Sequence, residues 1–421
     1  MDDQDRLTLE LLPGPVQLSP LHAKKILAYQ IWGSVRYVIA TILRRLPLLR
    51  DILRLPRARI HSLREWVNKS QGSIPWNERR SSPYYRLIRR PMLASRTPDP
   101  HCVAGSKHQQ ICAKDYDVHP ELFLASIPRA RLLGPCGVVI TPDHAIVEES
   151  AWTGDGWLEK NRAVVSLSLP KPETLAGQYF TIASFSAEGY AHWILDALPR
   201  LSLLPYLRRS DVKIIVSNTL KPWQAESLNL LGVDPEKIIV LNNRHLQLEV
   251  LHLPSYIGQP GTIHPIACRW LRRNFVSKET GGARRRLYIT RRHARRRVVN
   301  ESELEPILDR YGFEIIATEK LSFAEQVRLF NQAEAIAGPH GAGLTNIVFA
   351  PKDCKVFELF ADTCIRAMYY QLTGVIGQSY WYLAGMGLQD LEHNDSGFDD
   401  MRICPDEFEL TLSRMLGPES C

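Results

Sequence analysis

The sequence predicts a mixed α/β protein with two doubly wound, parallel-sheet halves and a basic helical appendage ahead of them. Short apolar strand segments alternate with helical ones from about Tyr179, and the alternation restarts after Gly281-Gly282. Strands separated by helices pair in parallel, because each crossover helix carries the chain back to the same sheet edge. The appendage is predicted by charge: Arg and Lys greatly outnumber Asp and Glu between Lys24 and Arg96.

The 421 residues exceed one ordinary domain. The expected division is an appendage over 1–96, a first half over 97–280, a second over 281–385, and a tail over 386–421 that packs back on the body. Hydrophobic content of 45% and charged content of 23% are those of a globular chain able to bury a large core. The eight cysteines form no CxxC pair, which argues against a zinc ribbon or a dense disulfide framework. The start Met1-Asp2-Asp3 is acidic where a secretory leader is basic. The apolar run Ile31 to Leu43 carries Arg36 and falls short of the roughly 20 residues a span needs. The expected compartment is therefore the cytoplasm.

Taken in order, Ile26, Leu27, Ile31, Val35, Val38, Ile39 and Ile42 recur at helical spacing among Lys24, Lys25, Arg36, Arg44 and Arg45. Such a basic amphipathic helix packs on the body or lies on an anionic membrane surface. Pro56, Pro75, Pro83, Pro91, Pro98 and Pro100 then mark a linker or irregular structure. Leu132 to Val147 reads as two strands around Pro142-Asp143, and 164–169 and 179–185 as further strands. A helix over 190–207 leads to a strand at 212–216, a helix at 222–231 and strands at 237–241 and 250–253. After a helix at 265–275, the second half runs strand 286–290, helix to Tyr311, strand 313–317, helix to Asn331, strand 335–337 and strand 355–360. Asn300 with Glu303, and Ser322 with Glu325, have the spacing of an N-cap and its reciprocal carboxylate.

Three groups of residues are candidates for chemistry. Ala335 to Phe349 contains a strand, the turn Gly338-Pro339-His340-Gly341-Ala342-Gly343 and a helix start. Free N–H groups at such a start attract an anion, and glycine lets a phosphate approach the backbone. His340, Thr345 and Asn346 add side-chain donors; a tight turn without a ligand is the plainer reading. His192 and Asp196 are four apart, so a helix would place them on one face, as a general base with its orienter, two metal ligands lacking a visible third, or a structural pair. Thr290, Arg291 and Arg292 follow directly on a strand, with Arg295, Arg296 and Arg297 behind them. An arginine fork suits a diphosphate, whereas a longer row suits nucleic acid, or simply water. Glu358 ends the strand after the glycine turn, where a carboxylate accepts from a sugar hydroxyl or caps the next helix.

The ordered set His192-Trp193-Ile194-Leu195-Asp196-Ala197-Leu198-Pro199-Arg200-Leu201, Tyr288-Ile289-Thr290-Arg291-Arg292 with Arg297 and Asn300-Glu301, Leu321 to Gln326, and Gly338 to Asn346 resembles glycosyltransferase family 61, the group that includes capsular polysaccharide biosynthesis proteins. The resemblance covers roughly Gly134 to Phe360. It implies a GT-B-like fold, with two Rossmann-like domains facing across a cleft, the first on the acceptor side and the second holding a nucleotide sugar. It implies metal-independent, inverting transfer to a hydroxyl of a glycan or lipid-linked glycan acceptor, with no cofactor besides the sugar donor. Asp196 or His192, with Glu188 next, would take the acceptor proton. Thr290, Arg291, Arg292, Arg297, His340, Gly341, Ala342, Gly343, Thr345, Asn346 and Glu358 would hold the donor. A non-catalytic phosphoglycan- or nucleic-acid-binding protein using the same arginines is the alternative, with nucleic acid not expected as a partner of the transferase.

Overall fold

The computed structural model describes residues 35–72, 82–93, 100–102, 111, 118–151, 165–259, 262–277, 284–388 and 398–417. Two mixed sheets carry the structure. In the first, His245–Pro254, Glu173–Thr181, Val212–Val216 and Ile238–Val240 lie side by side in that order, all parallel. Antiparallel strands extend it beyond His245–Pro254: Leu122–Pro128 along one stretch, and Arg131–Leu133, Val138–Ile140 and Ala145–Val147 along another. In the second sheet Phe313–Ile316, Arg285–Ile289, Ala333–Pro339, Lys355–Ala361 and Ser379–Leu388 are parallel, and Asp400–Arg402 closes the edge antiparallel.

The sequence logic is visible in the central strands. Ile214, Ile215 and Val216 are all buried, as are Val356, Phe357 and Leu359, because helices cover both faces of a parallel sheet. Alternate residues feed different cores. Phe180 and Val212 join a cluster that also holds Leu287, Ile336 and Phe349, so one continuous apolar core runs through both sheets. Polar contacts reinforce that join. The Glu226 carboxylate, on the helix Pro222–Leu230, accepts from Phe323 N at 2.7 Å and Ala324 N at 3.2 Å, the free N–H groups opening Phe323–Asn331. That helix also has its own reciprocal cap, with Glu325 N donating to Ser322 Oγ and Ser322 N to Glu325 Oε2.

Several expectations are corrected. The region read as a proline linker contains the strands Ala58–Ile60 and Tyr84–Arg89, which pair with Ala145–Val147 and Leu122–Ser126. Backbone pairing with the sheet outweighs the local proline signal, since each proline sits outside the strand itself. The stretch 131–147 holds three strands, not two. Residues 165–169 form no strand, and the rest of that expected element lies outside the described residues. Asn300 does not cap its helix by side chain; its amide donates to Ile403 O and accepts from Ile403 N, pairing like a strand residue. The amphipathic segment is helical over 35–45, its earlier residues lying outside the described ones. Tyr37 and Leu43 pack on the body, while Val38 and Ile42 stay exposed. No helix among the described residues is long and apolar enough to cross a membrane.

Glu226→Ala is expected to lower stability by about 1 kcal/mol, the usual worth of an N-terminal cap. Urea unfolding followed by tryptophan fluorescence measures it; an unchanged midpoint would mean that the Ser322 cap alone suffices.

Candidate active site

The chain leaves the carboxyl end of Glu173–Thr181, turns through 185–188 and enters one α-helical turn, Tyr190–His192. Trp193–Ala197 then widens to a π-helical turn, with Leu198 N donating to Trp193 O, and Leu198–Leu207 tightens to 3₁₀. The regular helix expected over 190–207 is thus three geometries in series. Pro199 and Pro205 explain part of this, since neither has an N–H to give the i−4 carbonyl. π-turns within helices are often found at functional sites.

This path brings His192 Nδ1 within 2.6 Å of Asp196 Oδ2. The two members differ in access: the His192 side chain is 30% exposed and that of Asp196 3%. The imidazole therefore offers Nε2 outward, while the carboxylate is buried behind it. Below the pair lies Arg200, also buried, whose guanidinium donates to Ala183 O and Pro254 O at 2.8 Å each and sits over the Tyr256 ring at 4.7 Å. Burial pushes Asp196 up to about 6, against the pull of His192 and Arg200 toward the carboxylate. Burial opposes the charged form of His192, but the hydrogen bond and charge of Asp196 prevail and hold it above its ordinary value. Glu188 lies on the exposed turn before this pair; its carboxylate is 3.5 Å from Asn218 Nδ2, and its carbonyl accepts from Lys221 Nζ.

The second group sits at the carboxyl ends of two neighbouring parallel strands. Arg285–Ile289 pairs with Ala333–Pro339 in a register that aligns Tyr288 with Ala337. Arg291 and the glycine turn therefore emerge side by side. At Gly341 a Cβ would lie 2.1 Å from Arg291 Nη1, so any side chain there would move this guanidinium from its place. Arg291 Nε donates to Arg295 O, and among the described residues no carboxylate pairs with Arg291.

The neighbouring arginines are arranged differently. Arg292 turns to Glu301 and Glu305, a hydrogen-bonded ion-pair cluster that Thr290 joins through Glu301. Arg297 is held by Asp400, and Arg295 and Arg296 lie over the Phe398 ring. Of the expected diphosphate ligands Arg292 and Arg297 are thus paired, at the exposed surface, with carboxylates of this chain that lie far enough along it to be invisible to a strand-end argument.

Glu358 is also corrected. It is fully buried, accepting from His340 Nδ1 at 2.5 Å and Tyr380 Oη at 2.6 Å, so in this structure it is not open to a sugar hydroxyl. With Nδ1 donating to Glu358, His340 has Nε2 free as an acceptor. Burial pushes this ring below its ordinary value, outweighing the Glu358 charge, so it is neutral at pH 7 and adds no positive charge. Thr345 and Asn346 are buried too. Thr345 Oγ1 lies 3.1 Å from Tyr369 Oη, and the Asn346 amide donates to Gln326 Oε1 at 2.8 Å. The helix start Ala342–Phe349 is 3₁₀, and Tyr369 Oη donates to Gly341 O.

Three features of the site escape sequence reasoning. Tyr190 Oη donates to Asn346 Oδ1 at 2.6 Å and so ties the turn carrying His192 to the helix leaving the glycine turn. Arg200 stood within the quoted motif, but nothing local marks it as the buried counter-charge to Asp196. Tyr369 and Tyr380, which buttress Gly341 and Glu358, follow the last strand that the pattern resolved.

Residues 190–357 match the family described as Glycosyltransferase 61. The chain is 37% identical over 76 residues to an EGF domain-specific O-linked N-acetylglucosamine transferase of Drosophila melanogaster, covering 17% of this chain and 15% of that one. It is 34% identical over 77 residues to alpha-1,3-arabinosyltransferase XAT3 of Oryza sativa subsp. japonica, covering 18% and 13% respectively. With beta-1,2-xylosyltransferase XYXT1 of the same plant the figures are 32% over 85 residues, 20% and 18%. The chain therefore spans less than a fifth of the length of each of these relatives.

The pair has a signature in stability. Asp196 and His192 are both raised, so between about pH 4 and pH 7 the native state holds more protons than the unfolded one. By linkage their contribution to stability is largest at low pH and falls as pH rises. Asp196→Asn removes the carboxyl step. The stability of the wild type relative to Asp196→Asn should decline from pH 4 to pH 6 in parallel denaturant titrations; parallel pH profiles would show that Asp196 titrates normally.

Proposed function

We propose that this chain, whose residues 190–357 belong with glycosyltransferase family 61, is a glycosyltransferase that moves a sugar from a nucleotide-diphosphate donor to a hydroxyl of a glycan acceptor. The observation that carries the reading is Arg291, a guanidinium without a carboxylate partner among the described residues, seated on Gly341 beside a helix start that is tied through Tyr190 and Asn346 to the His192–Asp196 pair. A base and a fixed positive charge, joined in this way, are the two groups that an inverting displacement requires.

In this mechanism His192 Nε2 takes the acceptor hydroxyl proton as that oxygen bonds to the anomeric carbon. The bond from that carbon to the diphosphate breaks, and the electron pair leaves with the nucleotide diphosphate. Asp196 orients the ring through Nδ1 and stabilises the imidazolium that forms. Arg291 and the backbone at Gly341-Ala342-Gly343 meet the charge growing on the diphosphate, a task met elsewhere by a metal ion. His340, held by Glu358, would accept from a donor hydroxyl through Nε2. The arrangement is of the GT-B type, with donor and acceptor on opposite sheets. The names of the relatives span transfer of N-acetylglucosamine, arabinose and xylose, the first of them to EGF domains, and a capsular or other surface glycan is the acceptor proposed here. The binding-protein alternative needs a row of free arginines, and four of the five between Arg291 and Arg297 are held by internal carboxylates or the Phe398 ring.

Thermal shift against nucleotide diphosphates and their sugars tests the donor site, because a ligand that binds only the native state raises the melting temperature. A selective shift is expected for the wild type, with a loss on the order of tenfold or more in affinity for Arg291→Gln and for Gly341→Ala, whose Cβ displaces the guanidinium. Arg292→Gln should retain the shift. Equal losses for Arg291→Gln and Arg292→Gln, or no shift with any nucleotide, would overturn the assignment.

A further inference from the structure

A second basic site lies at the opposite end of the first sheet. A cavity of about 440 Å³ is lined by Arg50, Arg54, Arg57 and Arg131, with His144 and Asp51. Gln247, also in its wall, pairs across the sheet with Arg131 and with Thr174. His192 follows the far end of that same strand, beyond Thr181. At about 3.3 Å per residue, the cavity is therefore on the order of 20 Å from the candidate active site.

The cavity has an unbalanced charge. Arg131 is only 7% exposed, yet among the described residues no carboxylate reaches it. Its guanidinium donates to Arg54 O at a long 3.4 Å and to His144 Nδ1 at 3.0 Å. An imidazole that accepts at Nδ1 from a guanidinium is neutral or strongly disfavoured as a cation, and burial followed by Arg131 pushes His144 below its ordinary value. Of the carboxylates nearby, Asp51 is taken by Arg50, and Asp143 lies 3.5 Å from Arg57. Among the described residues the Arg54 guanidinium has the Leu169 carbonyl alone, at 3.4 Å. A buried guanidinium without a counter-charge is costly unless an anion completes it. Arg54 and His144 also hold left-handed backbone, with φ of 58° and 67°, a conformation that side-chain-bearing residues adopt at an energetic cost.

Beside this cavity is an apolar surface. Pro47–Ile52 is a helix with no buried residue, and Leu48 and Ile52 are 75% and 60% exposed. Val38, Ile42 and Leu46 continue the same exposed apolar stretch, with Arg50 from that helix lining the cavity. Large apolar side chains facing water next to a cluster of arginines form the pattern of an interfacial helix. We propose that this face docks on an anionic lipid bilayer, with a lipid phosphate entering the arginine cavity and Leu48, Ile52 and their neighbours entering the headgroup–acyl boundary. The charge complementarity selects this occupant: an apolar protein partner would leave Arg131 uncompensated. Docking from this end leaves the carboxyl-end site, about 20 Å away, open to an acceptor assembled at the membrane.

Vesicle co-sedimentation with the whole chain tests this. Binding to phosphatidylglycerol vesicles should exceed binding to phosphatidylcholine vesicles at least tenfold and fall with added salt. The double variant Arg54→Gln/Arg57→Gln should lose on the order of tenfold or more of that binding. Leu48→Ser/Ile52→Ser, at exposed positions that do not threaten folding, should weaken it as well. Equal binding to the two vesicle types, or full binding by either double variant, would overturn the proposal. A pyrophosphate-induced thermal shift that needs Arg54 and Arg57, without vesicle binding, would also overturn it, by assigning the cavity to a free anion. Both double variants should keep the nucleotide shift expected of the donor site, so failure here is distinct from failure of the proposed transferase function.

Discussion

Burying the Asp196 carboxylate is the constraint around which the site is built. A lone carboxylate out of water would cost several kcal/mol and would take up a proton instead. Here two partners offset that cost. His192 bonds to one oxygen from the solvent side, and the Arg200 guanidinium lies beneath, anchored by the carbonyls of Ala183 and Pro254. Those carbonyls follow or end the two central parallel strands of the first sheet, so the sheet itself positions the counter-charge. The widened turn Trp193–Ala197 is the local consequence: it lets Trp193, Ile194 and Leu195 enter the core while Asp196 remains behind His192.

The second sheet uses charge in the opposite way. Arg291 is pressed against a glycine that has no side chain, with no carboxylate among the described residues in an ion pair with it, whereas its neighbour Arg292 has two such partners. A ligand that brings negative charge gains more at the first position than at the second. His340 and Glu358 follow the same economy in reverse, a neutral ring held rigid by a fully buried carboxylate. The Tyr190–Asn346 bond and the shared core then keep the two groups in a fixed relation.

How much of this was legible in the sequence depends on how local the cause is. The Ser322–Glu325 cap and the strands at 212–216 and 355–360 follow from residues within a few positions, and they stand where the pattern put them. The His192–Asp196 contact was legible as four-residue spacing and survives the irregular turn. The distinction between Arg291 and Arg292 was not legible at the strand end, although Glu301 and Glu305, four apart on one helix face, were the available signal. Asn300 stands at the N-cap position and bonds the Glu303 carboxylate as the spacing indicated, but its side-chain oxygen accepts from Ile403, 103 residues away, and not from its own helix. The helix read over 190–207 left Pro199 and Pro205 out of account, and the structure breaks it into three geometries.

The central claim is that His192 is the base and that Asp196 acts through it. The pH dependence of single-turnover sugar transfer, measured for the wild type and for Asp196→Asn with the preferred donor, tests this most directly. The account predicts a wild-type rate that rises with pH through the elevated His192 value. It predicts that Asp196→Asn lowers both the rate and that value while leaving donor affinity unchanged. A rate independent of pH in this range, or an Asp196→Asn enzyme with the wild-type profile, would contradict it.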